Sequence, residues 1–374
     1  MASGAALPRR ISAAAPDLLQ FPADYGAHAA SRTEWWYVTG HLRADARMWG
    51  FQVTFFRSRT GLNGAHGEPA AGGASRADTS RAGASRADAS RPNASRFAAT
   101  ELVFAHGAVT DLAGQRLRHD QRVARSGFGI AQASSADTDV VLRDWRLQRR
   151  AGAPQGTYRA VVASDSAGFA LDARCTPTQP LMLQGAAGLS RKGPLAPQTS
   201  RYYSEPHLAV QATLTLDGKP VAVQGSAWLD HEWSDAYLDP QAVGWDWIGM
   251  NLLDGSALMA FRMRRADAST LYAGGGFRRA GGTVRSYAPA EVQFTPGRVW
   301  ESPGTRARYP VEWRVATPDG RFTVRALLDN QELDSRASTG AIYWEGLSEL
   351  LDEAGARIGL GYLELTGYAG ALRM

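Results

Sequence analysis

The sequence predicts an all-β protein built from antiparallel sheets, and three observations carry that prediction. First, Leu208, Val210, Ala212, Leu214 and Leu216 alternate with more polar neighbours. After Asp217-Gly218 the alternation resumes at Val221, Val223, Gly225, Ala227 and Leu229, which is the pattern of a hairpin. Second, two more hairpins turn on Asp254-Gly255 and Asp319-Gly320, the latter between "VEWRVA" and "FTVRALL". Third, helical periodicity is weak: "AEVQF" is too short, and only "YWEGLSELLDEAG" (343–355) has room for a turn or two of helix. Many short strands joined by Gly- and Asp-rich turns indicate sandwiches or barrels.

At 374 residues, two domains are expected. A Pro-punctuated stretch, "RKGPLAPQTSRYY" (191–203), is the expected junction, dividing the chain into 1–195 and 196–374. Within the first part, "ASRADTSR" recurs as "ASRADASR", so residues 61–96 read as a low-complexity loop between two strands. The net charge is +5, and residues 74–96 hold five arginines against two aspartates, so the rest of the chain is close to neutral. No aromatics interleave with those arginines, and nothing suggests a nucleic-acid partner. No run of about 18 apolar residues is present, so no membrane-spanning segment is expected. The start, "MASGAALPRR", shows no apolar leader core. The single cysteine, Cys175, rules out an intrachain disulfide and a Cys-based zinc site.

In the N-terminal half, "RTEWWYVTGHL" (32–42) places Trp35, Tyr37, Thr39 and His41 on one strand face and Glu34, Trp36 and Val38 on the other. "WGFQVTFFRS" follows with bulky residues on both faces. Both sides are therefore covered, one by its own core and the other by a partner domain or a ligand. Glu34 beside two tryptophans needs a partner if buried. "FAHGAV" puts His106 on a strand, and "RYYSEPHL" opens the second part with Tyr202 and Tyr203.

The densest chemistry lies in "AWLDHEWSDAYLDPQAVGWDW" (227–247). Carried forward from Leu229, the alternation puts His231 and Trp233 on the apolar face and Asp230, Glu232 and Ser234 on the other. Asp246 follows between Trp245 and Trp247. An imidazole near carboxylates suits proton transfer, and a carboxyl walled by indoles has its charged form disfavoured, so it can hold a proton near neutral pH. Ordinary core packing of a hydrogen-bonded histidine is the competing reading. Metal binding lacks support from spacing: "HEWSD" has no second His at the zincin position and sits on a strand. Nucleophile elbows, phosphate loops and dinucleotide fingerprints are absent.

These stretches resemble the AttH-like and carotenoid 1,2-hydratase group of lipocalin-like proteins, often labelled secreted hydrolases. The matching segments are "FPADYGAHAASRTEWWYVTGHL", "WGFQVTFFRS", "RYYSEPHLAV", "GSAWLDHEWS", "GWDWIGMNLLDGSALMAFRMRR", "YWEGLSEL" and "GYLELTGYAG", from about residue 21 to 370. The resemblance implies two lipocalin-like (calycin-type) antiparallel β-barrel domains packed together, and a periplasmic or secreted location. It also implies that the His-x-Trp pair His231 and Trp233 acts with an acid to add water to a terminal double bond. The family's acid is expected downstream, where "LMAFRMRR" offers no carboxylate, so Asp246, Asp230 or Glu232 would stand in.

Two functions from different classes follow. The first is a cofactor-independent hydratase or hydrolase. Asp246 or Glu232 would donate a proton, His231 would deliver water, and Trp faces would shield a cation. The second is a carrier of a hydrophobic small-molecule ligand, an isoprenoid or lipid, linked by family analogy to an ABC-transporter-associated system. In either case Glu34, Trp35, Trp36, Tyr37, His41, His106, Tyr203, Trp245 and Trp247 are the expected ligand-binding residues. A purely structural reading makes the aromatic blocks the glue between domains.

Overall fold

The computed structural model describes residues 18–61, 99–152 and 155–372. Among these the chain is all-β: thirteen strands form one antiparallel sheet and ten form another. The described helical elements are two single 3-10 turns, Ala23–Tyr25 and Pro289–Glu291. Strands far apart in the first sheet, Glu101–Asp111 and Asp139–Leu142, send Val103, Val109, Val140 and Leu142 into one core. The sheet therefore curls into a nearly closed, lipocalin-like barrel. No described helix is long and apolar enough to cross a membrane.

All three predicted hairpins form. The longest pairs Thr199–Leu216 with Lys219–Ser234. Its two-residue turn puts Asp217 at φ 48° and Gly218 at φ 76°. Both central residues are left-handed, the arrangement that matches the twist of flanking strands, and Asp-Gly tolerates it well. The other two hairpins join Gly244–Leu252 to Ala257–Arg264 and Glu312–Thr317 to Gly320–Ala326.

Two expectations are corrected. The segment 343–355 does not form helix; it supplies the strand Ala341–Leu351, paired with Arg357–Leu365. Trp344 and Leu350 enter the core of the second sheet, while Leu347 packs between the sheets. Burial on both faces erased the alternation that would have marked a strand. The changeover between sheets also lies later than 191–203. Lys219–Ser234 pairs with Thr33–Ala44, and Thr199–Leu216 pairs with Phe169–Pro177, so both belong to the first sheet. The chain crosses to the second sheet between Ser234 and Gly244. The prolines punctuate a turn in which Leu189–Arg191 folds back on Thr199–Leu216. The predicted insert lies outside the described residues from position 62 onward, and the strands flanking it, Arg47–Arg59 and Glu101–Asp111, pair with each other.

Three apolar clusters hold the molecule. Trp36, Val38, Leu42, Phe51 and Val53 fill the first barrel, while Trp313, Trp344, Val324 and Leu363 fill the second sheet's core. Between the two, Tyr37, Trp228 and Tyr202 of the first sheet meet Trp247, Met259, Leu347 and Tyr362 of the second. The strand Thr33–Ala44 is thus covered on both faces, as its composition predicts.

Candidate functional site

Lys219–Ser234 runs through the middle of the first sheet. In register, His231 lies beside Trp36 and Tyr203, Asp230 beside Tyr37 and Ser204, and Glu232 beside Trp35 and Tyr202. Successive side chains alternate, so one strand serves two environments.

The first environment is the barrel interior. His231 is fully buried and stacks on Trp36 with centroids 4.6 Å apart. Its Nε2 lies 2.8 Å from Glu34 Oε1 and its Nδ1 lies 3.1 Å from Tyr203 Oη. Glu34 is buried too. It accepts from Arg57 Nε at 2.8 Å and from the His28 backbone N–H at 2.9 Å, and His28 Nδ1 lies 2.7 Å away. Burial alone would raise the Glu34 pKa, but the hydrogen bonds and charge of His231 and His28 bring it down to about 2. Burial lowers the His231 pKa despite the neighbouring carboxylate.

The second environment is a cavity of about 290 Å³ between the two sheets. Asp230 and Glu232 line it from the first sheet, and Glu345 and Glu364 from the second. Trp35, Tyr37, Tyr202, Tyr237, Trp245 and Trp247 supply aromatic walls. Glu345 and Glu364 stand directly opposite each other on Ala341–Leu351 and Arg357–Leu365. Cross-strand Cβ atoms are about 5 Å apart, so two negative charges there would repel strongly.

Each carboxyl has its own electrostatic setting. Asp230 accepts from Ser204 Oγ (2.5 Å), Tyr202 Oη (2.7 Å) and Trp228 Nε1 (2.7 Å). Those donors favour the charged form, yet burial outweighs them and pushes the pKa up to about 7. Burial, then the nearby Asp230 and Glu232 charges, raise Glu364 to about 7 against an opposing hydrogen bond from Trp245. Glu345 is pushed well above the usual carboxylate range by burial and then by Glu364. The Tyr37 hydroxyl, also on a cavity-lining residue, interacts with Glu345 and pulls the other way. Glu232 is raised by burial and pulled back by the Lys192 ammonium, 2.7 Å from Oε1. Lys192 itself is buried against the rings of Phe261 and Tyr202, at 4.3 and 4.6 Å.

The cavity therefore gathers Asp230, Glu232, Trp35, Tyr37, His106, Trp245 and Trp247 from the predicted set. The remaining predicted residues lie elsewhere. His231, Trp233, Glu34, Trp36 and Tyr203 face the barrel interior, so the predicted delivery of water by His231 into an indole-lined hollow has no geometric basis. His41 lies outside the cavity, between Ser226 and Gly50 in register. Asp246 is corrected as a proton donor: it sits in the second sheet's interior, 2.6 Å from Arg262 Nε and 2.8 Å from the Tyr368 hydroxyl. It therefore does not reach the cavity. His106 reaches the cavity wall but is held by Tyr343 Oη at 2.7 Å and Ser338 Oγ at 2.9 Å, and burial lowers its pKa to about 3. Glu345, Glu364, Tyr202 and Tyr237 were not predicted. A lone carboxylate in an apolar strand, as in "AIYWEGLSELL" and "RIGLGYLEL", was the available signal.

Residues 12–368 match the model of the AttH-like family. The chain is 44% identical to a protein assigned as an AttH from Nitrosomonas europaea. That crystal structure superposes with a TM-score of 0.80, covering 94% of this chain and 98% of the other. Kievitone hydratase from Nectria haematococca shares the fold at 14% identity, with a TM-score of 0.67, covering 95% of this chain and 94% of the other. No curated protein matches the chain by sequence.

Proposed function

The chain belongs to the AttH-like family, and from that premise we propose that it is a hydratase-type enzyme that adds water across an activated double bond of a neutral, largely apolar ligand. The observation that carries this reading is the cavity in which Asp230, held by three hydrogen-bond donors, and the directly opposed Glu345–Glu364 pair face one space, with burial raising the pKa of all three. Of two buried carboxyls in one cavity, the one whose neighbours donate to its charged form suits the base and the one facing a like charge suits the acid.

Glu345 is the acid. It holds a proton at neutral pH and transfers it to an alkene carbon, leaving a cation on the neighbouring carbon. The faces of Trp35, Trp245 and Trp247 and the negative charge of Glu232 stabilise that cation. Asp230 is the base. Its three donors favour the carboxylate, and a pKa of about 7 lets it take a proton from water as the C–O bond forms. The ligand gains one H and one OH, and the proton on Asp230 then returns to Glu345 through solvent. Four carboxyls disfavour an anionic ligand, and the aromatic walls favour an isoprenoid or phenolic one. An extracytoplasmic location and a link to a transport system rest on family resemblance alone.

The test is to incubate the purified chain with extracts of isoprenoids and prenylated phenols and follow mass. A product heavier by one water, lost in Asp230→Asn and Glu345→Gln, supports the reading. Recovery of an unchanged ligand bound in the cavity supports a carrier instead.

A further inference from the structure

We propose that His28, Glu34 and His231 form a binding site for one divalent transition-metal cation of the zinc class, in the barrel interior and apart from the cavity. His28 comes from the loop before the Thr33–Ala44 strand, Glu34 from that strand and His231 from Lys219–Ser234. One ligand atom from each lies within 4.8 Å of the other two. Both imidazole nitrogens aim at the same carboxylate oxygen, Oε1 of Glu34, at 2.7 and 2.8 Å. Two imidazoles and one carboxylate are the donor set of open zinc and non-haem metal sites.

The outer partners strengthen the assignment. A metal-binding histidine uses its second nitrogen on a carboxylate, carbonyl or similar group, which fixes the tautomer and aims the first. His28 Nε2 lies 3.1 Å from Asp24 Oδ1, and His231 Nδ1 lies 3.1 Å from Tyr203 Oη. Arg57 Nε holds the other Glu34 oxygen at 2.8 Å, while Oε1 faces the two imidazole nitrogens and the His28 backbone N–H at 3.1 Å. All three ligands are thus oriented from behind. Formal charge points the same way. Glu34 and Glu101 flank the Arg57 guanidinium, whose Nη1 lies 3.0 Å from Glu101, and Asp24 adds a third carboxylate on His28. With neutral imidazoles the group carries a formal charge of −2, which a dication cancels. Glu34 and His231 are fully buried, whereas the His28 and Asp24 side chains are about one-fifth exposed and give an ion its way in. Bound there, the metal would fasten the segment around the Ala23–Tyr25 turn to the barrel. This inference does not rest on the proposed reaction.

The test uses the full chain without an affinity tag. It is stripped with chelator, then titrated with Zn²⁺ and Co²⁺ while metal content, cobalt absorption and melting temperature are followed. One equivalent per chain, a raised melting temperature and a Co²⁺ spectrum with nitrogen ligation are expected. His28→Ala, on a partly exposed loop that leaves the barrel intact, should abolish all three. Asp24→Asn should weaken affinity about 10- to 100-fold. Absence of stoichiometric binding, or equal binding by wild type and His28→Ala, overturns the proposal. In that case Glu34 is simply shared by two imidazole N–H donors.

Discussion

Asp230 and His231 are neighbours in sequence, yet they belong to electrostatic regimes of opposite kind. On the barrel side, Glu34 is surrounded by donors and cations, and its pKa falls to about 2. On the cavity side, acids face acids: Asp230 and Glu364 rise to about 7, and burial and Glu364 raise Glu345 well above the usual carboxylate range. Burial is severe on both sides. What differs is whether a buried charge has a partner. The comparison teaches that the ion-paired cluster around Glu34 holds the structure together. The underpaired side stores protons and has room for a ligand.

The largest effects should separate the two sides by what they damage. Asp230→Asn and Glu345→Gln should each lower turnover by about 10² or more while the fold persists, since a general acid or base typically supplies 10²–10⁴. His231→Asn, if soluble, should leave turnover per folded molecule within about tenfold. A collapse of activity there with an intact fold would return catalysis to the barrel side. Glu34→Ala should destabilise the protein by about 3–5 kcal/mol in denaturant titration, because it removes the buried carboxylate that Arg57 Nε, His28 and His231 share. A loss below about 1 kcal/mol would mean the pairing is worth little.

pH should act in opposite directions on the two sides. Glu34 has a depressed folded pKa, so its contribution is present above about 4.5 and is lost as pH falls toward about 2. Glu345 and Glu364 have raised folded pKa values. Their contribution is complete below about 4.5 and is lost as pH rises through about 7 and beyond. Glu345→Gln should therefore stabilise the protein at pH 8.5 by about 1–2 kcal/mol and give no gain at pH 4.5. An equal effect at both pH values would show that repulsion in the pair is negligible. The smallest effect is expected from Lys192→Met. Removing the ammonium beside Glu232 should move the acid limb of any activity profile to higher pH, because the Glu232 charge then forms only at higher pH. An unmoved limb would detach Glu232 from the reaction.

Much of this was legible in the sequence. Alternation from Val221 to Leu229 correctly put His231 and Trp233 on one face and Asp230 and Glu232 on the other. It could not say which face adjoins a hollow, because indoles and phenols cover both. The same rule, applied to Gly244–Leu252, would have turned Asp246 away from the cavity once Trp245 and Trp247 faced it. Glu345 stayed hidden because its doubly buried strand showed no alternation and read as room for a turn or two of helix. Its repulsive partner Glu364 is set by a pairing register between strands, which no local pattern records. The sheet changeover was misplaced because prolines mark turns, whereas only long-range pairing tells which sheet a strand joins.

The single passage of the chain from one sheet to the other, between Ser234 and Gly244, has a consequence for assembly. Asp230 and Glu232 lie before the crossing, and Glu345, Glu364 and the paired tryptophans lie after it. Cut within that segment, the protein would become two polypeptides, each with its own apolar interior and neither with the whole cavity. Co-expressed halves that reassociate would regain the cavity only on docking, so ligand uptake would report their association.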